Sequence, residues 1–206
     1  TPSATLASTA AIGVNHLRVC ERWGLFSDPT LDRRIAELYQ IGDTPDKAEP
    51  YLRRVIAESP DELPPRLALG RLLTRLERME EALPLLRDIA SVRAPSEAMA
   101  AKCAHLRSSA NELLGELYFK RGDLVQAKAA YESALDDSSD NAGAHLGLGE
   151  LIAGEGRLGE ATEQFRAALA SRPDLAPAHY NLGVMLAAQG HEDEAMEQYR
   201  QALVLE

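Results

Sequence analysis

Along most of this chain apolar residues recur three and four apart in paired runs, and the pairs themselves recur every 34 residues. In residues 108–141 the first run holds Leu113, Leu114, Leu117 and Tyr118, and the second holds Ala127, Tyr131 and Ala134. Residues three and four apart share one face of an α-helix, so each pair predicts two helices, A and B, joined by a short turn. Register is kept across three copies by Gly115, Gly149 and Gly183, by Gly122, Gly156 and Gly190, and by Ala127, Ala161 and Ala195. Tyr131, Phe165 and Tyr199 keep it too, as do Ala134, Ala168 and Ala202. A fixed period of this length predicts a solenoid, in which each unit buries its apolar face against its neighbours.

The first glycine of each copy sits inside helix A, where it costs roughly 0.5–1 kcal/mol relative to alanine. A recurrent cost needs a recurrent gain. Without a side chain, Gly183 and its mates let helices A and B cross with their backbones close together. The second glycine ends helix A, as the residue best suited to a left-handed turn. Acidic residues such as Asp123 and Glu160 then open helix B, where they complement the helix dipole.

Two weaker copies precede the three clear ones. Leu69, Gly70, Leu73, Ala82, Leu86 and Ile89 hold the corresponding places in residues 63–96, and Ile35, Ala36, Tyr39, Ala48, Leu52, Val55 and Pro60 hold them in 29–62. Pro50 and Pro84 also align, which predicts both near the start of a helix B, where a missing N–H is tolerated. Eleven extra residues, 97–107, separate the second copy from the third. With Ser96 as N-cap, the stripe Met99, Cys103, Leu106, Ala110, Leu113 and Leu117 predicts one long helix over about 96–121; a separate short helix and turn is the alternative. Residues 1–28 carry no repeat and are expected to form a capping helix. The chain stops within helix B of the fifth copy (residues 176–206), so the native polypeptide is expected to continue, or this face to pack on another subunit.

These residues resemble the tetratricopeptide repeat family, over about five repeats: 29–62, 63–96, 108–141, 142–175 and 176–206. The match is best in 142–175, through Leu148, Gly149, Ile152, Gly156, Ala161, Phe165, Ala168 and Pro173. The large residue that usually starts helix A is replaced by Asn111, His145 and His179. The resemblance implies an all-α, right-handed α-solenoid of antiparallel helix pairs, a superhelix whose helix A residues line a concave groove for a peptide or helix of a partner protein. Carried over by register, the groove residues are Arg33, Glu37, Arg71 and Arg75 in the first two repeats. Glu112, Glu116, Phe119, Lys120, Leu146 and Glu150 follow in the third and fourth, then Tyr180, Asn181 and Val184 in the fifth. In relatives an asparagine at the place of Asn181 often bonds the backbone of a bound peptide. The lysine and asparagine set that grips a C-terminal carboxylate in chaperone-binding relatives is not matched. The expected function is a non-catalytic interaction scaffold; the alternative is a regulatory or substrate-recruiting region of a larger enzyme, such as a glycosyltransferase or hydroxylase.

Charge sharpens this picture. Residues 1–107 hold 15 basic and 15 acidic side chains, whereas 108–206 hold 7 and 17, so the whole net charge of −10 sits on the three clear repeats. Nucleic acid binding needs a basic track and is not expected of that half. No run approaches the roughly 20 apolar residues of a membrane span, and no signal-peptide pattern is visible. Cys20 and Cys103 read as small core residues, which favours a reducing compartment, the cytoplasm, with the periplasm left open. Arginine outnumbers lysine 18 to 4, as in a GC-rich bacterial genome.

No catalytic, metal or cofactor constellation emerges. His145 and His179 share one repeat position and read as packing residues. His191-Glu192-Asp193-Glu194 opens a helix, where acids complement the dipole. His105 and Cys103 lie two apart and face different ways. Asp136, Asp137 and Asp140 form a polar turn between repeats, and the glycines match neither phosphate-binding pattern.

Overall fold

The computed structural model describes residues 45–205, together with 32 and 34–36; the expected capping helix over 1–28 lies outside the described residues, as do Arg33 and Glu37. The described residues are helical and contain no strand. After a short 3-10 turn (Pro45–Ala48) come α1 (Glu49–Glu58), α2 (Leu63–Arg75), α3 (Met79–Ala90), α4 (Glu97–Arg121) and α5 (Leu124–Asp137). They are followed by α6 (Ala142–Gly154), α7 (Leu158–Ser171), α8 (Ala176–Ala188) and α9 (Glu192–Leu205). This is an all-α solenoid of helix pairs. The chain divides into two compact units between Ile89 and Ala90.

In the first unit, Leu52 and Val55 of α1, Leu72 and Leu73 of α2, and Leu86 and Ile89 of α3 are buried. Gly70 shows why α2 carries a glycine: a Cβ there would stand 2.6 Å from Cδ2 of Leu86 on α3. The turn after α2 places Glu77 in the left-handed region, at φ 57°. Around the turn, Glu49 and Glu81 alternate with Arg53 and Arg78 in a ring of charge-assisted hydrogen bonds that joins α1 to α3. Arg53 donates to Glu49 (2.8 Å) and Glu81 (2.7 Å), and Arg78 to Glu49 (2.6 Å) and Glu81 (2.6 Å). The two prolines differ. Pro50 lies in the first turn of α1, as its sequence position suggests. Pro84 does not, because α3 has already begun at Met79 and carries the proline inside; the ring faces solvent, where the missing hydrogen bond costs least.

The second unit repeats the glycine contact three times. A Cβ on Gly115 would fall 2.5 Å from Cδ1 of Tyr131, on Gly149 2.5 Å from Cε1 of Phe165, and on Gly183 2.7 Å from Cε1 of Tyr199. Each glycine thus admits the aromatic ring of its own helix B. Gly122, Gly156 and Gly190 then turn the chain at φ 83°, 77° and 83°. The next residue's N–H reaches back across each turn, Asp123 to Tyr118 O, Arg157 to Ile152 O and His191 to Leu186 O, which satisfies a carbonyl at the helix end.

A single continuous helix, not a short helix and turn, spans the lengthened repeat. The 25 residues of α4 extend about 37 Å at 1.5 Å per residue. Cys103, Ala110, Leu113 and Leu117 are buried along its stripe, but Met99 is exposed. Ser96 takes the N-cap position without a capping hydrogen bond from its side chain. Farther along, the Arg107 guanidinium pairs with Asp137 at the end of α5 and donates to Val92 O at 3.3 Å. The buried Ser108 hydroxyl donates to Ala134 O (2.8 Å) and accepts from Asn141 Nδ2 (2.9 Å). Asn141 in turn caps α6, accepting from Ala144 N–H at 3.0 Å. The chain of bonds fixes the entry of α6 against α4 and α5.

The repeated histidines do structural work. His145 Nδ1 pairs with the Gln164 amide at 2.8 Å and Nε2 with Ser139 O at 3.1 Å. His179 makes the matching bonds to Gln198 and Pro173 O, at 2.7 and 2.9 Å. Among the described residues no helix is long and apolar enough to cross a membrane.

Candidate functional site

Four helices of the second unit build one polar focus, and small residues make it possible. Tyr131 rises from α5 with its ring between Gly115 of α4 and Gly147 of α6; a Cβ on Gly147 would stand 2.5 Å from Cε2 of that ring. The tyrosine is only 4% exposed, yet among the described residues its hydroxyl has no hydrogen-bond partner. Burial first, then the charges of Glu150, Glu116 and Glu112, hold its pKa well above the ordinary tyrosine value. The charges of three carboxylates therefore reach a buried donor that, among the described residues, bonds to none of them.

Each carboxylate is fixed differently. Glu112 of α4 lies across the start of α6, close enough that a Cβ on Gly143 would stand 2.5 Å from its carboxyl carbon. Glu116, one turn on, pairs with Lys120 at 2.8 Å. Glu150 of α6 is half-buried and accepts from Asn181 Nδ2 of α8 at 3.0 Å. Its pKa is raised, chiefly by burial, with the neighbouring Glu116 charge adding to the rise and the Asn181 bond opposing it.

Beside this focus opens a cleft of about 500 Å³, lined by Phe119, Leu124, Val125, Lys128, Ala129, Glu132, Glu150, Leu151, Gly154 and Glu155. Phe119, Leu124 and Val125 are 36%, 53% and 85% exposed. A large apolar surface left in water at one place is a mark of recognition sites. Glu150 belongs to both features, so the carboxylates and the apolar cleft are continuous.

Of the groove residues expected from register, Glu112, Glu116, Lys120, Glu150 and Asn181 come together here, with Phe119 at the cleft. Leu146 and Val184 instead pack against the core around Ile152, Phe165, Leu182 and Leu186, so they support the site more than they line it. Tyr180 is exposed and its ring sits 5.8 Å from that of Tyr199, tilted by 50°. Arg71 and Arg75 are exposed on α2, in the first unit. Asn181 donates through its amide nitrogen to Glu150, and among the described residues its oxygen has no donor.

Register reasoning missed Tyr131, Leu124 and Val125, because it carried over helix A positions only. A signal was present. Leu124 and Val125 stand where the next two repeats have Leu158 and Gly159, then Glu192 and Asp193, so the third repeat alone opens helix B with two large apolar residues. Among the described residues no three His, Cys, Asp or Glu side chains are grouped as metal ligands.

Two models of the tetratricopeptide repeat match the chain, one over residues 112–176 and 153–205 and the other over 43–106. No curated protein matches it. Among solved structures, TTC0263, a thermophilic tetratricopeptide repeat protein of Thermus thermophilus, superposes with a TM-score of 0.63 at 23% identity, covering 86% of this chain and 91% of its own. A MamA fragment running from residue 41 to the end, from Desulfovibrio magneticus RS-1, gives 0.58 at 20% identity, covering 87% and 96%. Another crystal structure of MamA gives 0.53 at 20% identity, covering 78% and 87%. At these identities the likeness is one of fold.

Proposed function

The chain belongs to the tetratricopeptide repeat family, and on that premise we propose that the face of its second unit formed by α4, the start of α5 and α6 holds a segment of a partner protein. Repeats of this family serve in general as protein-interaction scaffolds. The observation that carries the narrower reading is the meeting of Glu112, Glu116 and Glu150 beside an apolar cleft. Three carboxylates from two helices cost electrostatic repulsion unless something of opposite charge uses them. An apolar cleft beside them gives such a ligand a place to bury surface, worth about 25 cal/mol per Å². On this reading the face binds its ligand without turnover.

The test is charge reversal. Proteins retained by the immobilised chain from native lysate at low salt are identified and compared with those retained by Glu112→Lys, Glu116→Lys. A groove ligand is lost or strongly weakened by the double variant, and its association slows, because complementary charge governs encounter. The same partner held with equal affinity by both proteins overturns the reading.

A further inference from the structure

The focus also specifies the chemistry of what it holds, on the reading that this face binds a protein segment. We infer that Glu112, Glu116 and Glu150, with the Tyr131 hydroxyl at their base, form a seat for the side-chain cation of a partner's Lys or Arg, and that the adjoining cleft takes an apolar residue of the same segment.

Two independent observations point to a cation. The first is the charge count: three carboxylates share the focus, and among the described residues the only cation paired with any of them is Lys120 on Glu116. Lys128 lines the adjoining cleft, with Glu132 and Glu155. The second is Tyr131. A buried hydroxyl left without a partner costs the protein the desolvation of that group. Here the ring packs between Gly115 and Gly147, which leave no side chain to pair with the hydroxyl. That oxygen offers lone pairs to an incoming N–H, while its own O–H is left to donate to a carboxylate, so a cation seated here gives donors to the tyrosine oxygen and to Glu112.

The cleft decides between a bare ion and a side chain. Phe119, Leu124 and Val125 expose apolar surface next to Glu150, and a free metal ion makes no use of it. Nor are the carboxylates grouped as metal ligands among the described residues. A segment with a basic residue close to a Leu, Ile, Phe or Trp uses both halves. An acidic segment meets three like charges.

The experiment is selection from a library of capped random decapeptides on the full chain, run in parallel on Glu112→Gln, Glu116→Gln, Glu150→Gln. Near-isosteric glutamines keep the acceptor for Asn181, and melting by circular dichroism verifies that the triple variant is folded; the single Glu150→Gln serves if it is not. Wild type is expected to enrich peptides with Lys or Arg within three residues of a large apolar residue. The variant is expected to lose the basic preference, with about tenfold weaker binding of the selected peptides. In the same assay Tyr131→Phe is expected to weaken those peptides several-fold without lowering the melting temperature. Peptides that are acidic or uncharged, or basic ones bound equally by the variant, overturn the cation seat and leave the groove reading standing. No enrichment by either protein overturns both. Unchanged affinity in Tyr131→Phe removes the hydroxyl from the seat.

Discussion

Gly149 and Phe165 divide a single space at the crossing of α6 and α7: a Cβ on the glycine would stand 2.5 Å from Cε1 of the ring. The ring is 1% exposed and has no room to retreat. Gly149→Leu is therefore expected to destabilise the second unit by about 1–3 kcal/mol through overpacking. Gly154, at the end of the same helix, has nothing within 4 Å of its Cβ position, so Gly154→Ala is expected to stabilise by up to about 1 kcal/mol. Thermal melts of the two variants check the pair of signs; an unchanged melting temperature for Gly149→Leu would falsify the crossing argument.

Glu77 occupies the turn position that Gly122, Gly156 and Gly190 fill in the later repeats. Its φ is 57°, and the N–H of Arg78 reaches Leu73 O at 2.9 Å, the same closing bond. A non-glycine residue in that region costs roughly 1–2 kcal/mol. Glu77→Gly should relieve most of this and raise the stability of the first unit by about 1 kcal/mol, partly offset by the greater freedom of glycine in the unfolded chain. Glu77→Val, branched at Cβ, should do the reverse. Chemical denaturation of both variants measures the difference.

The ring of Glu49, Arg53, Glu81 and Arg78 gives the first unit a pH dependence with a definite sign. Burial acts to raise the Glu49 pKa, but hydrogen bonds from Arg78 and Arg53 outweigh it and hold the carboxyl below its ordinary value. Glu81 is lowered too, by Arg78 and then Arg53. A depressed carboxylate contributes stability above its unfolded value and loses it as pH falls through the folded one. Glu49→Gln should thus melt earlier than wild type at pH 7, and the gap should close as pH falls below about 4. A gap that persists in acid would assign the loss to packing instead.

The helix pairs were legible because one physical requirement repeats. Gly115, Gly149 and Gly183 each face an aromatic residue sixteen positions on, so the contact is written into the spacing. Glu77 was not legible, since nothing in a glutamate announces a left-handed turn. Pro84 misled because proline is as compatible with the solvent face of an established helix as with its first turn. The carboxylates of the site follow from helix A register, but their relation to Tyr131 does not. It depends on Gly147 leaving room in the next helix, and the period equates Gly147 with Leu113 and Asn181, which share no property with it.

Glu150 offers the sharpest separation of stability from binding. Its carboxyl is raised above the ordinary value by burial, with Glu116 adding to the rise and Asn181 opposing it. Glu112, Lys120 and Tyr131 belong to the same focus, and Lys128, Glu132 and Glu155 line the cleft with it. A raised carboxylate costs stability in its ionised form; the cost is full above the raised value and vanishes below the unfolded one. Glu150→Gln retains an oxygen for the Asn181 amide and loses the charge. It should melt above wild type at pH 7 and coincide with it near pH 4. Binding of a Lys-containing peptide should run the other way. The variant should bind more weakly at pH 7, while wild-type affinity should fall toward that of the variant on acidification, at a higher pH than an ordinary surface carboxylate would produce. A variant that is both less stable and weaker at pH 7 would mean that Glu150 holds the fold, and the trade of stability for a ligand's charge would have no basis. More stable and weaker is the result that only a binding carboxylate gives.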